Sequence, residues 1–514
     1  MTEKLLTKRR FKDGDNKHRP WVEEIFTADE SHKCPTYVHR APPCQGSCPS
    51  GEDIRGWLNI VRGIEKPPAD TTWQEYAFSR VTEANPFPAI MGRVCPAPCE
   101  DGCNRNEVED HVGINSVEQF IGDYGLEHGL KLHPPGEDTG KKVAIIGSGV
   151  AGLSCAYQLR RMGHACTVFE RQEKLGGMMR YGIPGYRVPD EVLDGEIQRI
   201  LDMGVEVRNN TRVGEDISFA DMRAQFDAVF IALGAQSGMA LPVPGGDAPN
   251  VISGVAFLQA FNDGRLQHTA GKVLVVGGGD TSMDVAAVAR RLGHIQHKRE
   301  HDRPENIIMG YMAHDVAGVA QRQGADVTLI SRESADIMPA TKMEVEHVTQ
   351  EGVKIRPGLL PVEVILGDDG RASGVRVIQT DWSSGQMETV AGTETELECD
   401  LLVSAIGQRG DLSGFEELDS GRGLIDADGF YRVKDHPDLF VGGDIIRPHL
   451  LTTAIGQGSI AAEGVDKFLR GQDPAKRPKV DVHQFNLLDK LRETGKAPTE
   501  YPHVQDRGTC EADY

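Results

Sequence analysis

Short apolar runs, each closed by glycines and followed by helically spaced apolar positions, recur along the chain from Lys142 onward. Val143-Ala-Ile-Ile146 predicts a buried strand, and Leu153 to Met162 has the spacing of a helix packed on it. Ala165-Cys-Thr-Val-Phe169 predicts a second strand that ends on Glu170. The same pattern returns at Lys272-Val-Leu-Val-Val276, whose helix ends Arg290-Arg291-Leu-Gly-His294 and echoes Arg160-Arg161-Met-Gly-His164 of the first copy. The returning strand of this copy, Ala325 to Ser331, is delayed by the segment Ile295 to Gln323. Residues 1–137 read differently: short helices such as Asp53 to Arg62 and Trp73 to Ala84 stand between Pro-rich loops, with no repeating strand pattern.

The turns between strand and helix carry the chemistry. Gly147-Ser-Gly149-Val-Ala-Gly152 is a G-x-G-x-x-G turn, and Glu170 follows Gly147 by 23 residues. Such glycines let the backbone approach a pyrophosphate at a helix N-terminus, and an acid after the second strand accepts from ribose hydroxyls. The second turn, Gly277-Gly-Gly279-Asp280-Thr281-Ser282, keeps two glycines and puts a small serine at the third place. Internal duplication of this kind predicts paired flavin and nicotinamide domains. The fold class expected is α/β, with two Rossmann-like dinucleotide-binding domains preceded by an α-helical domain.

Composition narrows the picture. The chain has 514 residues, a formal charge of −21 and 59 glycines, so nucleic-acid and membrane-surface roles are not expected. The charged start lacks the apolar run of a signal peptide, which predicts a cytoplasmic protein. Six of the ten cysteines fall between residues 34 and 103: Cys34, Cys44, Cys48, Cys95, Cys99 and Cys103. In a reducing compartment such clustering favours metal over disulfide. Zinc is an alternative, but no Cys-x2-Cys knuckle occurs, and loops of this spacing suit the corners of iron–sulfur cubanes. Cys155 and Cys166 read as core thiols, and no Cys-x2-Cys stands ready to pass flavin electrons to a disulfide.

Met91-Gly-Arg-Val-Cys95-Pro-Ala-Pro-Cys99-Glu-Asp-Gly-Cys103, followed by Val112-Gly-Ile-Asn-Ser-Val-Glu118-Gln-Phe120, resembles the N-terminal domain of the glutamate synthase small subunit. The large subunit of electron-bifurcating transhydrogenase and dihydropyrimidine dehydrogenase share that domain, and the likeness runs to about residue 470. It implies two 4Fe-4S clusters, one held by Cys34, Cys44 and Cys103, the other by Cys48, Cys95, Cys99 and the carboxylate of Glu118. The first set is one ligand short, because Tyr37 and Met91 stand where the family has cysteines; His39, His32 or Tyr37 would fill the gap, or the cluster would be a three-iron form. Gly176 and Gly177 resemble the second glycine signature of two-dinucleotide-domain flavoproteins, which assigns FAD to the first fold; Gly443 and Asp444, with Thr453 to Gly458, resemble the segment that closes over the flavin.

The implied activity is NAD(P)H:acceptor oxidoreduction. Electrons would pass from a nicotinamide through FAD and the clusters, with no catalytic acid–base residue. One cation, Arg332, flanked by Ser331 and Glu333, stands where NADPH-using relatives place two arginines, so NADH is expected over NADPH. The domains expected are 1–137 for the clusters, 138–265 and 396–471 for FAD, 266–395 for the nicotinamide and 472–514 as an extension. Val229 to Gly234 and Leu402 to Gly407 read as crossover points, and Ile295 to Gln323, with His297, His301 and His314, as a solvated excursion. The wording around Cys34 to Trp57 and the residues from Asp473 onward resemble the oxidoreductase associated with dissimilatory sulfite reductase more than glutamate synthase. The expected partner is therefore that reductase, then the glutamate synthase large subunit, and a homodimer is a candidate assembly. A non-catalytic flavin-binding assembly subunit is the rival. The chain, ending at Tyr514 just past Cys510, reads as truncated.

Overall fold

A computed structural model describes residues 40–108, 112–294, 303–310, 324–472, 481–482 and 485–495. Cys34, His32, Tyr37, His39, the three histidines of the excursion and Cys510 lie outside these. The chain forms two compact units: residues 1–174, 191–232 and 426–514 in one, residues 175–190 and 233–425 in the other.

The first unit holds a five-stranded parallel sheet in the order Leu439–Val441, Ala228–Ile231, Lys142–Ile146, Ala165–Phe169, Glu206–Arg208. Its central strand is buried on both faces, which is why it reads as an unbroken apolar run rather than an alternating one. The Val150–Arg161 helix covers one face and carries the cysteine-rich region on its outer side: Tyr157 Oη donates to Thr82 O at 2.6 Å, and Arg161 Nη1 to Glu83 O at 2.8 Å. The helical region is therefore part of the flavin-type unit, not a separate body. The expected helices are present as Ile54–Val61, capped by Asp53, and Trp73–Val81, closed by a Thr72–Glu75 capping box.

The second unit repeats the plan with five parallel strands in the order Lys354–Pro357, Asp326–Ser331, Lys272–Val276, Leu401–Ser404, Val251–Ser253. The duplication is visible at single hydrogen bonds. Gly147 N donates to Phe169 O at 2.8 Å, and Gly277 N to Ile330 O at 2.9 Å. In both copies the first arginine of the echoed pair ties the end of its helix to neighbouring carbonyls, Arg160 to Met203 O and His164 O, Arg290 to Glu351 O and Ala325 O.

Three features differ from the sequence reading. The inserted unit is wider than 266–395: Val251–Ser253 and Leu401–Ser404 pair with its sheet, and it takes in residues 175–190 as well as 233–425. The unit also carries an antiparallel meander, Leu359–Leu366, Ala372–Asp381 and Thr395–Glu398. Part of the excursion is packed rather than solvated: Ile307 and Ile308 of the Pro304–Ile308 helix are buried, and Arg265 donates to both their carbonyls. Periodicity misses this turn because it is too short to show one. Beyond the last Rossmann helix, Leu451–Leu469, Asp481–Val482 pairs parallel with Arg40–Ala41, and Phe485 N donates to Asn104 Oδ1 at 3.1 Å.

Candidate functional site

Prolines set up the cysteine loops. Pro43 and Pro98 open the short helices Pro43–Ser47 and Pro98–Asp101, and Pro88 opens Pro88–Val94. Cys48 and Cys95 close two of these helices, each donating its N–H back into the last turn, to Cys44 O at 3.1 Å and Met91 O at 2.9 Å. Ala97, at φ 55°, turns the chain so that Cys99 enters the next helix. Met91 is fully buried core.

These loops carry acids, with Cys99 and Glu118 buried and Cys44, Cys48, Cys95 and Cys103 half-buried. Burial first, then the charges of Cys48, Cys95, Glu118 and Glu52, push the Cys99 thiol far up. Burial likewise raises Cys48 and Cys95 to about 12. Glu118, on the Ile114–Glu127 helix, is raised by burial and then by Glu52, and accepts from Asn85 Nδ2 at 2.6 Å. Cys44 is raised to about 11 by burial, and among its neighbours is Cys103. Cys103 thus acts on Cys44, and Cys48 and Cys95 act on Cys99, while Cys34 lies outside the described residues. Among the described residues no three Cys, His, Asp or Glu side chains converge tightly enough to hold a single metal ion. Acids gathered together need positive charge to ionise, and cluster iron would supply it. The donor set fits a cluster.

Ser50, Glu52 and Asn85 went unrecognised in the sequence. Ser50 Oγ lies 2.9 Å from Cys48 Sγ and donates to Glu52 Oε1 at 3.1 Å, while Asn85 holds Glu118. Their only signal is position, two and four residues past Cys48 and just before a proline, which is indistinguishable from helix capping.

Gly147, Gly149, Gly152 and Glu170 meet at the first turn. Glu170 accepts from Ser148 N at 2.9 Å, Ser148 Oγ at 2.6 Å and Gln172 N at 2.9 Å, and is buried. A Cβ at Gly152 would sit 2.0 Å from Gly147 O, whereas one at Gly149 would meet nothing within 4 Å. That open space beside an uncapped helix N-terminus is where a pyrophosphate fits. Gly443 lies against Ala151 of the same turn. Asp444 accepts from His449 N at 3.2 Å and does not cap the Leu451–Leu469 helix, whose N-cap is Leu450. Gly176 and Gly177, at φ 122° and 52°, stand in the second unit.

The second turn reproduces the cradle: Gly279 opens the uncapped Asp280–Leu292 helix, and a Cβ there would again meet nothing. Asp280 is raised by burial and by Glu344. Thr281 lies beside Gly254. Arg332 Nε donates to Glu333 Oε1 at 2.8 Å, and Ser331 Oγ to Glu333 Oε2 at 2.8 Å.

A second buried acid ties the cluster region to the first Rossmann unit. Glu196, on Asp190–Leu201, accepts from Ala89 N at 2.8 Å and Ile90 N at 3.0 Å, and burial raises its pKa to about 7. An unfolded glutamate titrates near 4.3. The raised group therefore contributes fully below about pH 4, and its contribution is lost as pH rises through about 7. Glu196→Gln is expected to flatten this dependence: the stability of the native chain relative to the variant, read from thermal unfolding, should fall from pH 5 to pH 8, by at most about 3 kcal/mol.

Residues 141–458 match the pyridine nucleotide-disulphide oxidoreductase family, and residues 12–130 match dihydropyrimidine dehydrogenase domain II, 4Fe-4S cluster. The chain belongs to the pyridine nucleotide-disulphide oxidoreductase family and is an oxidoreductase of FAD and iron–sulfur type. It is 34% identical over 458 residues to the NADPH glutamate synthase small chain of Mycobacterium tuberculosis, covering 85% of this chain and 88% of that one. It is 33% identical over 462 residues to the NADP(+)-dependent formate dehydrogenase subunit beta of Moorella thermoacetica, covering 83% of this chain but only 60% of that relative. FprA of Mycobacterium tuberculosis in complex with NADPH shares the fold at a TM-score of 0.52 and 17% identity, over 70% of this chain and 87% of that one. Among the described residues no helix is long and apolar enough to cross a membrane.

Proposed function

We propose that this chain carries electrons from NADH through FAD and two 4Fe-4S clusters to a partner redox protein. The observation that carries the reading is the gathering of Cys48, Cys95, Cys99 and Glu118 in the same compact unit as the Gly147 turn. Held at the Gly147 turn, FAD would supply hydride acceptance, and clusters held by the cysteines would supply one-electron transfer. The chain's own part is binding and exclusion of water. Two uncapped helix N-termini would receive pyrophosphates, Glu170 would accept from the ribose of the flavin nucleotide, and Cys99 and Glu118 are withdrawn from water. No acid–base residue is needed for this chemistry. Anaerobic analysis of the purified chain should give iron and labile sulfide for two clusters and one FAD; zinc without labile sulfide overturns the proposal. NADH should bleach the flavin promptly in stopped flow, which an assembly subunit would not do.

NADH is the proposed donor although both relatives named above carry NADP in their names. A 2′-phosphate needs guanidinium partners, and here the one guanidinium at the strand end is bonded to Glu333, whose carboxyl Arg332 and Ser331 hold below its usual range against the effect of burial. Glu333→Ala should therefore raise the NADPH-to-NADH ratio of kcat/KM by about tenfold, the size of one charge-assisted hydrogen bond. A native chain that prefers NADPH refutes the assignment.

For the acceptor, relatives of equal similarity bear different activities, so likeness does not choose among partners. The segment that returns over Arg40–Ala41 and Asn104, a departure from the glutamate synthase pattern in sequence, supports dissimilatory sulfite reductase. The extended match to the glutamate synthase small chain favours that enzyme's large subunit as the second reading. Mixing the reduced chain with each and following cluster reoxidation decides it: glutamine-dependent glutamate formation with the large subunit overturns the first.

A further inference from the structure

The two dinucleotide turns receive their acids by different routes. In the first, Glu170 directly follows Phe169, whose carbonyl takes Gly147 N, and its carboxylate accepts from Ser148 N in the middle of the turn. Counted from the matching bond, Gly277 N to Ile330 O, the second copy has Ser331 in the place of Glu170 and Gly278 in the place of Ser148. A carboxylate arrives all the same. A Cβ at Gly278 would lie 2.5 Å from Ser331 Oγ and 3.2 Å from Glu333 Oε2, so Glu333 reaches back over the turn while Ser331 Oγ donates to it. An acid at this place accepts from the ribose hydroxyls of a dinucleotide.

Glu333 stands two residues past the Asp326–Ser331 strand, so its backbone must be held from outside that ladder. The antiparallel meander holds it. Arg332 O accepts from Thr380 Oγ1 at 2.7 Å and from Trp382 Nε1 at 2.9 Å, and Glu333 O accepts from Gly358 N at 2.9 Å. Gly358, at φ 71°, in turn gives its carbonyl to Thr380 N at 3.0 Å. The Arg332 carbonyl and the Glu333 N–H share one peptide plane, and that N–H donates to Ser331 Oγ at 3.2 Å. A hydroxyl and an indole N–H aimed at one carbonyl therefore fix the plane from which the Glu333 side chain departs.

We propose that Thr380 and Trp382 are positioning residues for nucleotide choice: by gripping the Arg332 carbonyl they keep the Glu333 carboxylate over the Gly278 turn, where it takes the ribose hydroxyls of NAD and repels a 2′-phosphate. The proposal rests on the NADH reading above. It gives the inserted meander a duty in choosing the nucleotide.

Thr380→Val keeps the side-chain shape and Trp382→Phe keeps an aromatic ring, while each removes its donor. Calorimetric titration of NAD+ and NADP+ into the oxidised, FAD-loaded, full-length protein reads binding without turnover. The double variant should bind NAD+ about tenfold more weakly, the size of the carboxylate–ribose hydrogen bond that is misplaced, and NADP+ no more weakly than the native chain does. In a Glu333→Ala background the same two changes should cost no further NAD+ affinity, because the grip acts through that carboxylate. Thr380→Ser with native Trp382 should bind both nucleotides as the native chain does. Equal weakening of both nucleotides, or the same tenfold loss in the Glu333→Ala background, overturns the proposal, since a merely structural corner would behave that way. If the double variant loses FAD or its fold, Trp382→Phe alone decides: weaker NAD+ with NADP+ unmoved supports the proposal, and native affinities overturn it. A native chain that prefers NADP+ overturns the NADH reading and this proposal together, whereas a native chain that prefers NAD+, beside a double variant with native affinities, overturns this proposal alone.

Discussion

Cys99→Ala is expected to remove one cluster and leave the other. Cys99 is the thiol on which Cys48, Cys95 and Glu118 all act, so its loss takes a corner from that set and none from Cys44 and Cys103. Iron and labile sulfide should fall to about half of the native content, with one EPR signal lost. NADH should still bleach the flavin, because the Gly147 and Gly277 turns are untouched. Transfer to the partner should fall by more than about a hundredfold, beyond the 10–100-fold that outer-shell losses cost at metal sites. Glu118→Ala should disturb the same signal. If both signals survive in Cys99→Ala, the division of ligands is wrong.

Gly152→Ser should abolish flavin binding, although serine already occupies the matching place in the second turn. At the first turn a Cβ would lie 2.0 Å from the carbonyl of Gly147, a backbone atom held by the strand bond to Phe169. At the second turn Gly277 takes φ 153° instead of 100°, and its own missing Cβ leaves room for Ser282, whose hydroxyl bonds Gly279 O. The first turn must move to admit the side chain, at an overpacking cost of about 1–3 kcal/mol before the phosphate contacts are lost. Ser282→Gly, by contrast, should cost about 0.5–1 kcal/mol in stability, the price of helical glycine. The check is FAD content after gel filtration with the thermal midpoint of each variant. Full flavin occupancy in Gly152→Ser would show that the turn tolerates the side chain.

The duplicated strand–turn–helix plan was legible because its determinants are local: four buried apolar residues, glycines where backbone approaches backbone, and helical spacing after them. The helices at Asp53 and Thr72 were legible for the same reason, through their caps. The cysteine spacing pointed to iron, and the division into two sets came from family resemblance.

Tertiary structure decided what depends on residues distant in sequence. Val251–Ser253 and Leu401–Ser404 are short apolar strands that fit either sheet by pattern, and only parallel pairing with Lys272–Val276 assigns the latter to the inserted unit. Glu52, Asn85 and Glu118 become one carboxylate pocket only when three helical segments pack together; in sequence each is an ordinary polar residue. Periodicity and turn chemistry are short-range and visible in sequence, whereas burial of a polar group is set by what the fold brings against it.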